Sequence, residues 1–109
     1  MSGTVVLIRI CAVADAGKEE CRRIDVPGRR PIGVFLVEGK LFAVDDTCTH
    51  GDASLCEGFL DGEEIECPFH SGRFNVVTGS AVQFPATEAL NTYAIVTQGD
   101  TIYVKLEEQ

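Results

Sequence analysis

Nowhere in this chain do ten consecutive residues place their apolar side chains at helical spacing. Short apolar or alternating runs are instead cut by glycine-containing turns about every ten residues. That rhythm suits strands and denies helices the length they need. The expected fold class is therefore all-β. Val5 to Val13 is the first strand candidate, and Glu20 to Val26 the second, stopping at Pro27-Gly28 because proline cannot donate to a ladder. Ile32 to Val37 and Leu41 to Val44 flank Glu38-Gly39-Lys40, a hairpin signal. Asp61-Gly62 turns into Glu63 to Cys67, where alternation puts Ile65 and Cys67 on one face and the glutamates on the other. Arg73 to Val77 and Ser80 to Phe84 follow. Pro85 to Asn91 is irregular, with room for one helical turn, and Thr92 to Thr97 with Thr101 to Leu106 form a last hairpin about Gln98-Gly99-Asp100. Hairpins on both sides of residues 46–74 predict a small antiparallel sandwich or open barrel, with that stretch as an inserted unit in a single domain, 1–109.

The inserted stretch holds both histidines of the protein. It opens Cys48-Thr49-His50 and closes Cys67-Pro68-Phe69-His70, with sixteen residues between the pairs. Thiolate and imidazole suit soft or borderline metals. Two Cys and two His can hold one tetrahedral zinc, or a two-iron, two-sulfur cluster with the cysteines on one iron and the histidines on the other. Zinc fingers and ribbons typically begin with a close pair of cysteines, which is missing here, so spacing favours the iron–sulfur reading over zinc. Gly51 and Gly72 follow the two pairs, and glycine lets a ligand loop bend and aim its N–H groups at sulfur. Pro68 stiffens the second loop.

Five cysteines without framework spacing argue against a secreted disulfide scaffold and for free thiols or ligands. Cys11 and Cys21 read as small buried hydrophobes, and Cys56 as a structural or bystander thiol. The sequence shows neither a basic apolar leader nor an apolar run of membrane-spanning length, so a cytoplasmic protein is expected.

Charge is polarised along the chain. Residues 1–40 carry seven Lys/Arg against five Asp/Glu, whereas residues 41–109 carry two against twelve. Eight carboxylates lie between Asp45 and Glu66 with no intervening Lys or Arg. Phosphate contact needs the opposite sign, which argues against nucleic acid. A steering surface for a positively charged partner fits better, with Asp52 and Glu57 as docking candidates.

Cys48-Thr49-His50-Gly51 and Cys67-Pro68-Phe69-His70-Ser71-Gly72-Arg73-Phe74 resemble the two cluster-binding boxes of Rieske [2Fe–2S] proteins. Length, hairpin layout and Pro85-Ala86-Thr87 extend the likeness to the Rieske ferredoxins of bacterial aromatic-ring dioxygenase systems. The resemblance implies a small three-sheet β protein in which Cys48 and Cys67 hold the inner iron and His50 and His70 the outer one, with a proline loop around Pro85 covering the cluster. It further implies a soluble, monomeric one-electron carrier. Such a carrier accepts from a flavin-containing NAD(P)H-dependent ferredoxin reductase and delivers to the terminal Rieske oxygenase of an aromatic-ring-hydroxylating dioxygenase system. A small subunit of a larger oxidoreductase such as nitrite reductase is the alternative within the same cofactor class, and a zinc-stabilised interaction module is the alternative outside it.

Respiratory-chain Rieske proteins carry an extra cysteine in each box and join the loops by a disulfide. The matching positions here are Ala53 and Phe69, so that bridge cannot form. Their serine and tyrosine donors to the cluster fall at Gly72 and Phe74, which offer no hydroxyl. The expected potential therefore lies toward the low end of the Rieske range, roughly −150 mV. Catalysis by the chain itself is not expected. A non-haem iron oxygenase centre needs two histidines and a carboxylate beyond those the cluster uses, and no glycine-rich dinucleotide loop follows a strand.

Overall fold

A computed structural model describes residues 4–49, 53–69 and 71–108. Among them are ten strands and two single 3-10 turns. The strands are β1 (Thr4–Ala12), β2 (Cys21–Ile24), β3 (Ile32–Val37), β4 (Lys40–Asp45), β5 (Phe59–Asp61), β6 (Glu64–Glu66), β7 (Arg73–Asn75), β8 (Ala81–Gln83), β9 (Thr92–Gln98) and β10 (Thr101–Glu108). The all-β expectation holds. No helix among the described residues is long and apolar enough to cross a membrane.

One antiparallel sheet runs β1-β10-β9-β4-β3-β2 and a second runs β5-β6-β7-β8. The first is two three-stranded ladders joined at a narrow seam, since β4 and β9 share only the pairs Ala43↔Tyr93 and Val44↔Thr92. Among the described residues three groups of antiparallel strands can thus be distinguished, β1-β10-β9, β4-β3-β2 and β5-β6-β7-β8, the first two joined into one sheet rather than standing as separate sheets. The second sheet is an excursion of the chain between β4 and β9, and it runs on to Gln83, past residue 74.

Alternation on β3 and β4 explains how the parts are glued. Ile32, Val34 and Ala43 join Ile10, Cys11, Ile102, Val104 and Leu106 in a core within the larger sheet's curl. The opposite face, with Phe35, Val37 and Val44, meets Leu55, Ile65, Phe74 and Val76 of the excursion in a second core. Buried on both faces, β3 reads as a nearly continuous apolar run. At full burial, side chains such as Phe35 and Phe74 each stabilise by about 1.5–3 kcal/mol.

The β3–β4 hairpin turns on Glu38 (φ 50°) and Gly39 (φ 81°), with Val37 paired to Lys40. Positive φ at both central positions matches the right-handed strand twist, and glycine takes the second at no steric cost.

Three expectations need correction. Cys21 and Cys56, expected to be a small buried hydrophobe and a structural or bystander thiol, are joined in a disulfide with Cα atoms 5.6 Å apart. They lie 35 residues apart, and spacing along the chain does not reveal such a contact. Pro85 to Asn91 contains no helical turn. Its backbone groups are used elsewhere: Leu90 N–H donates to the Gly79 carbonyl at 2.7 Å, and the Asn91 carbonyl accepts from Asp45 N–H at 3.1 Å. Finally, Phe59–Asp61 forms a strand of its own, pairing with β6 about Gly62.

Candidate metal centre

Both cysteine boxes close in the same way. After β4, Thr47 bridges Ser54, and Cys48 N–H donates to the Ala53 carbonyl at 3.0 Å. After β6, Cys67 N–H donates to the Gly72 carbonyl at 2.8 Å, just before β7 begins. Each loop therefore opens on a cysteine whose amide is tied to the carbonyl five positions on. His50, Gly51 and Asp52 in the first loop and His70 in the second lie outside the described residues.

The second loop bends at Ser71 (φ 60°), whose N–H reaches back to the Cys67 carbonyl at 3.3 Å. Gly72 is needed for a different reason from the bend expected of it. A Cβ there would sit 3.0 Å from the Ala86 nitrogen and 3.1 Å from its Cβ, so glycine admits the close approach of the segment after β8.

That segment is moored to both boxes. Gln83 Nε2 donates to the Ser71 carbonyl at 3.0 Å, and Thr49 Oγ1 donates to the Glu88 carbonyl at 2.9 Å. Between these moorings lie the cis Phe84-Pro85 bond and Ala86, itself buried.

Cys48 and Cys67 are 2% and 1% exposed and belong to one apolar cluster with Ala53, Leu55, Ile65, Phe74 and Ala86. Two soft donors delivered by matched loops into a shared apolar surround fit a thiolate-ligated metal or iron–sulfur centre. The outer side is apolar too: Phe69, between Cys67 and His70, is 71% exposed, and Phe84 is 81% exposed. Large exposed aromatics beside a candidate centre mark a contact surface.

The acidic stretch is less uniform than its sequence suggests. Asp46 is buried and accepts from Ser54 Oγ at 2.5 Å and Cys56 N–H at 3.0 Å, so it organises the chain between the boxes. Asp45 accepts from Tyr93 OH and lies 3.6 Å from the Arg29 guanidinium. Arg73 bridges Glu66 at 3.0 Å, Glu64 at 3.4 Å and Asp61 at 3.7 Å. Hydrogen bonds that Arg73 donates to Glu66, and then to Glu64, raise its pKa further above the ordinary value. Glu57 is exposed, whereas Asp52 lies outside the described residues. Arg29 precedes the acidic run and Arg73 follows it in sequence, and both fold back onto it.

Sequence reasoning missed Asp46, Gln83, Thr49 and Phe84. Only Thr49 had a local signal, lying between two proposed ligands. The others act through partners distant along the chain.

A profile of the Rieske [2Fe-2S] domain matches residues 6–94. Ferredoxin CarAc of Metapseudomonas resinovorans is 40% identical over 95% of this chain and 97% of its own length. The ferredoxin component of the naphthalene 1,2-dioxygenase system of Pseudomonas putida is 37% identical over 94% of this chain and 98% of its own. Among solved structures, the complex of reduced oxygenase and oxidized ferredoxin in carbazole 1,9a-dioxygenase contains a chain that superposes with a TM-score of 0.88. The two are 40% identical, and the match covers 95% of this chain and 96% of that one.

Proposed function

This chain belongs to the Rieske [2Fe-2S] domain family, and on that premise we propose that Cys48, His50, Cys67 and His70 hold one [2Fe–2S] cluster, cysteines on one iron and histidines on the other. The observation that carries the ligand assignment is the pair of buried cysteines at the mouths of two identically closed loops. When bound, the cluster supplies a one-electron couple, at a higher potential than an all-thiolate cluster because two neutral imidazoles replace two thiolates.

The chain is the ferredoxin component of an aromatic-ring-hydroxylating dioxygenase system, a carrier of electrons and not itself the catalyst. It delivers to a terminal Rieske oxygenase, as the relative captured with its oxygenase supports. It accepts from a flavin-containing reductase, acts as a monomer and works in the cytoplasm. The chain's own residues hold the ligand loops in register, exclude water with Leu55, Ile65 and Phe74, and present Phe69 and Phe84 to a partner. Glu57 and Asp52 add charge that steers encounter with a basic patch.

The test is a visible and EPR spectrum of anaerobically prepared protein, made with iron and sulfide available, before and after dithionite. A Rieske-type signal appearing on one-electron reduction is expected. Colourless protein with one zinc per chain overturns the assignment. Mixed with an NADH-driven flavoprotein reductase and an aromatic-ring oxygenase, the protein should be required for substrate oxidation.

A further inference from the structure

We infer that Cys21 and Cys56 form a second redox site in this chain, a dithiol–disulfide couple separate from the proposed cluster ligands. Cys21 opens β2 and pairs with Phe35, while Cys56 lies in the 3-10 turn Leu55–Glu57 between the two cysteine boxes. Their Cα separation of 5.6 Å falls in the range a disulfide needs. The bond therefore ties the edge strand of the larger sheet to the chain that connects the two loops.

Access distinguishes this pair from the other cysteines. Cys11, Cys48 and Cys67 are buried, whereas Cys21 and Cys56 are half-buried and line an open cavity of about 370 Å³ bordered by Glu19, Glu20, Leu60 and Ile65. A small thiol or peroxide can enter a space of that size. Disulfides in reducing compartments, where they occur, are usually transient and redox-sensing.

The chemistry balances with reagents of common classes. Hydrogen peroxide oxidises one thiolate to a sulfenic acid, breaking its own O–O bond and releasing hydroxide, which takes the proton that thiol gave up as a first water. The second thiol attacks that sulfur, the S–S bond forms and a second water leaves. In reverse, a dithiol reductant attacks one sulfur, forms a mixed disulfide and departs as a cyclic disulfide. Its two electrons and two protons pass to Cys21 and Cys56.

Opening the bond removes none of the hydrogen bonds that hold this turn. Asp46 accepts from Cys56 N–H and Ser54 Oγ, and its carbonyl takes Leu55 N–H at 2.7 Å, none of which uses a cysteine sulfur. The reduced form therefore stays folded, though less stable, because the unfolded chain regains the freedom that the cross-link removed.

The test maps cysteines in the intact, cluster-loaded protein. After peroxide treatment and alkylation under denaturing conditions, digestion should give a linked Cys21–Cys56 peptide. After dithiothreitol under native conditions both cysteines should alkylate, the fold should persist, and Tm should fall by roughly 10 °C or more. Cys21→Ser and Cys56→Ser should keep their iron and lose the response of Tm to dithiothreitol. Two free thiols after peroxide treatment overturn the couple. So does a zinc ion held by Cys21, Cys56 and Asp46, whose donor atoms all lie within 4.8 Å of one another, if Cys56→Ser releases it. The cluster spectrum reports on the proposed function independently, so either idea can fail alone.

Discussion

The Tyr93 hydroxyl donates to Asp45 at 2.5 Å, across the seam where β4 and β9 share only two residue pairs. Arg29 completes the arrangement: its guanidinium donates to the same hydroxyl at 2.6 Å and lies 5.0 Å from the ring centroid. Side chains supply here what a short ladder does not.

This gives a pH dependence with a definite sign. Burial first, and then the hydrogen bond to Asp45, raise the Tyr93 pKa above its ordinary 10.0, against the opposing pull of Arg29. The folded chain keeps a proton that the unfolded chain releases, so this stabilisation is complete below pH ~10 and is lost as pH rises through the folded value. Urea midpoints measured on both sides of that pH should fall more steeply for the wild type than for Tyr93→Phe. The variant should already cost about 1 kcal/mol near neutrality through the lost hydrogen bonds.

Glycine substitutions separate the two kinds of close approach. A Cβ at Gly58 would lie 1.9 Å from the Glu66 carbonyl oxygen, a backbone atom of a paired strand that cannot move aside. Gly58→Ala should therefore disrupt β5–β6 pairing and yield little folded protein. At Gly72 the contacts are milder, and Gly72→Ala should cost about 1–3 kcal/mol by pushing the Ala86 segment outward. Thermal melts of the two variants order these effects, and equal losses would contradict the argument.

Cysteine variants should divide cleanly. Cys48→Ser and Cys67→Ser each remove a proposed soft ligand from the apolar cluster and should abolish the visible spectrum of the iron-loaded protein. Cys11→Ser lies in the other core and should retain the colour at some loss of stability. Iron content per chain, measured beside circular dichroism, separates loss of ligand from loss of fold.

Partner contact should depend on aromatic side chains more than on charge. Phe69→Ala should weaken binding to a terminal oxygenase by roughly tenfold or more, as expected of an exposed aromatic that becomes covered on docking. Glu57→Gln should mainly slow association, and raising salt should slow the wild type by screening charges beyond ~10 Å. Stopped-flow transfer rates against ionic strength decide this, and rates indifferent to salt would remove the steering role alone.

The strands were legible because their signals are local: alternation between Glu63 and Cys67, and the Glu38-Gly39 turn, state their structure within a few residues. The loops that open at Cys48 and Cys67 stand out for the same reason, each motif lying within a few consecutive residues. What the sequence concealed is contact between distant segments. Neither Cys21 nor Cys56 has a neighbour along the chain that names the other, and Asp46 looks like one more surface carboxylate until Ser54 and Cys56 fold over it. Arg73 likewise gives no sign along the chain that it will quench part of the acidic run.

The excursion that carries the cysteine boxes leaves the larger sheet at Asp45 and returns at Thr92, points that touch, because Val44 pairs with Thr92 and Asp45 N–H bonds to Asn91. Departure and arrival are thus side by side, like the two pins of a plug in its socket. A change in the excursion's length therefore need not shift the β4–β9 register, whereas a change on its inner face, where Leu55, Ile65, Phe74 and Val76 meet Phe35 and Val44, reaches the larger sheet directly.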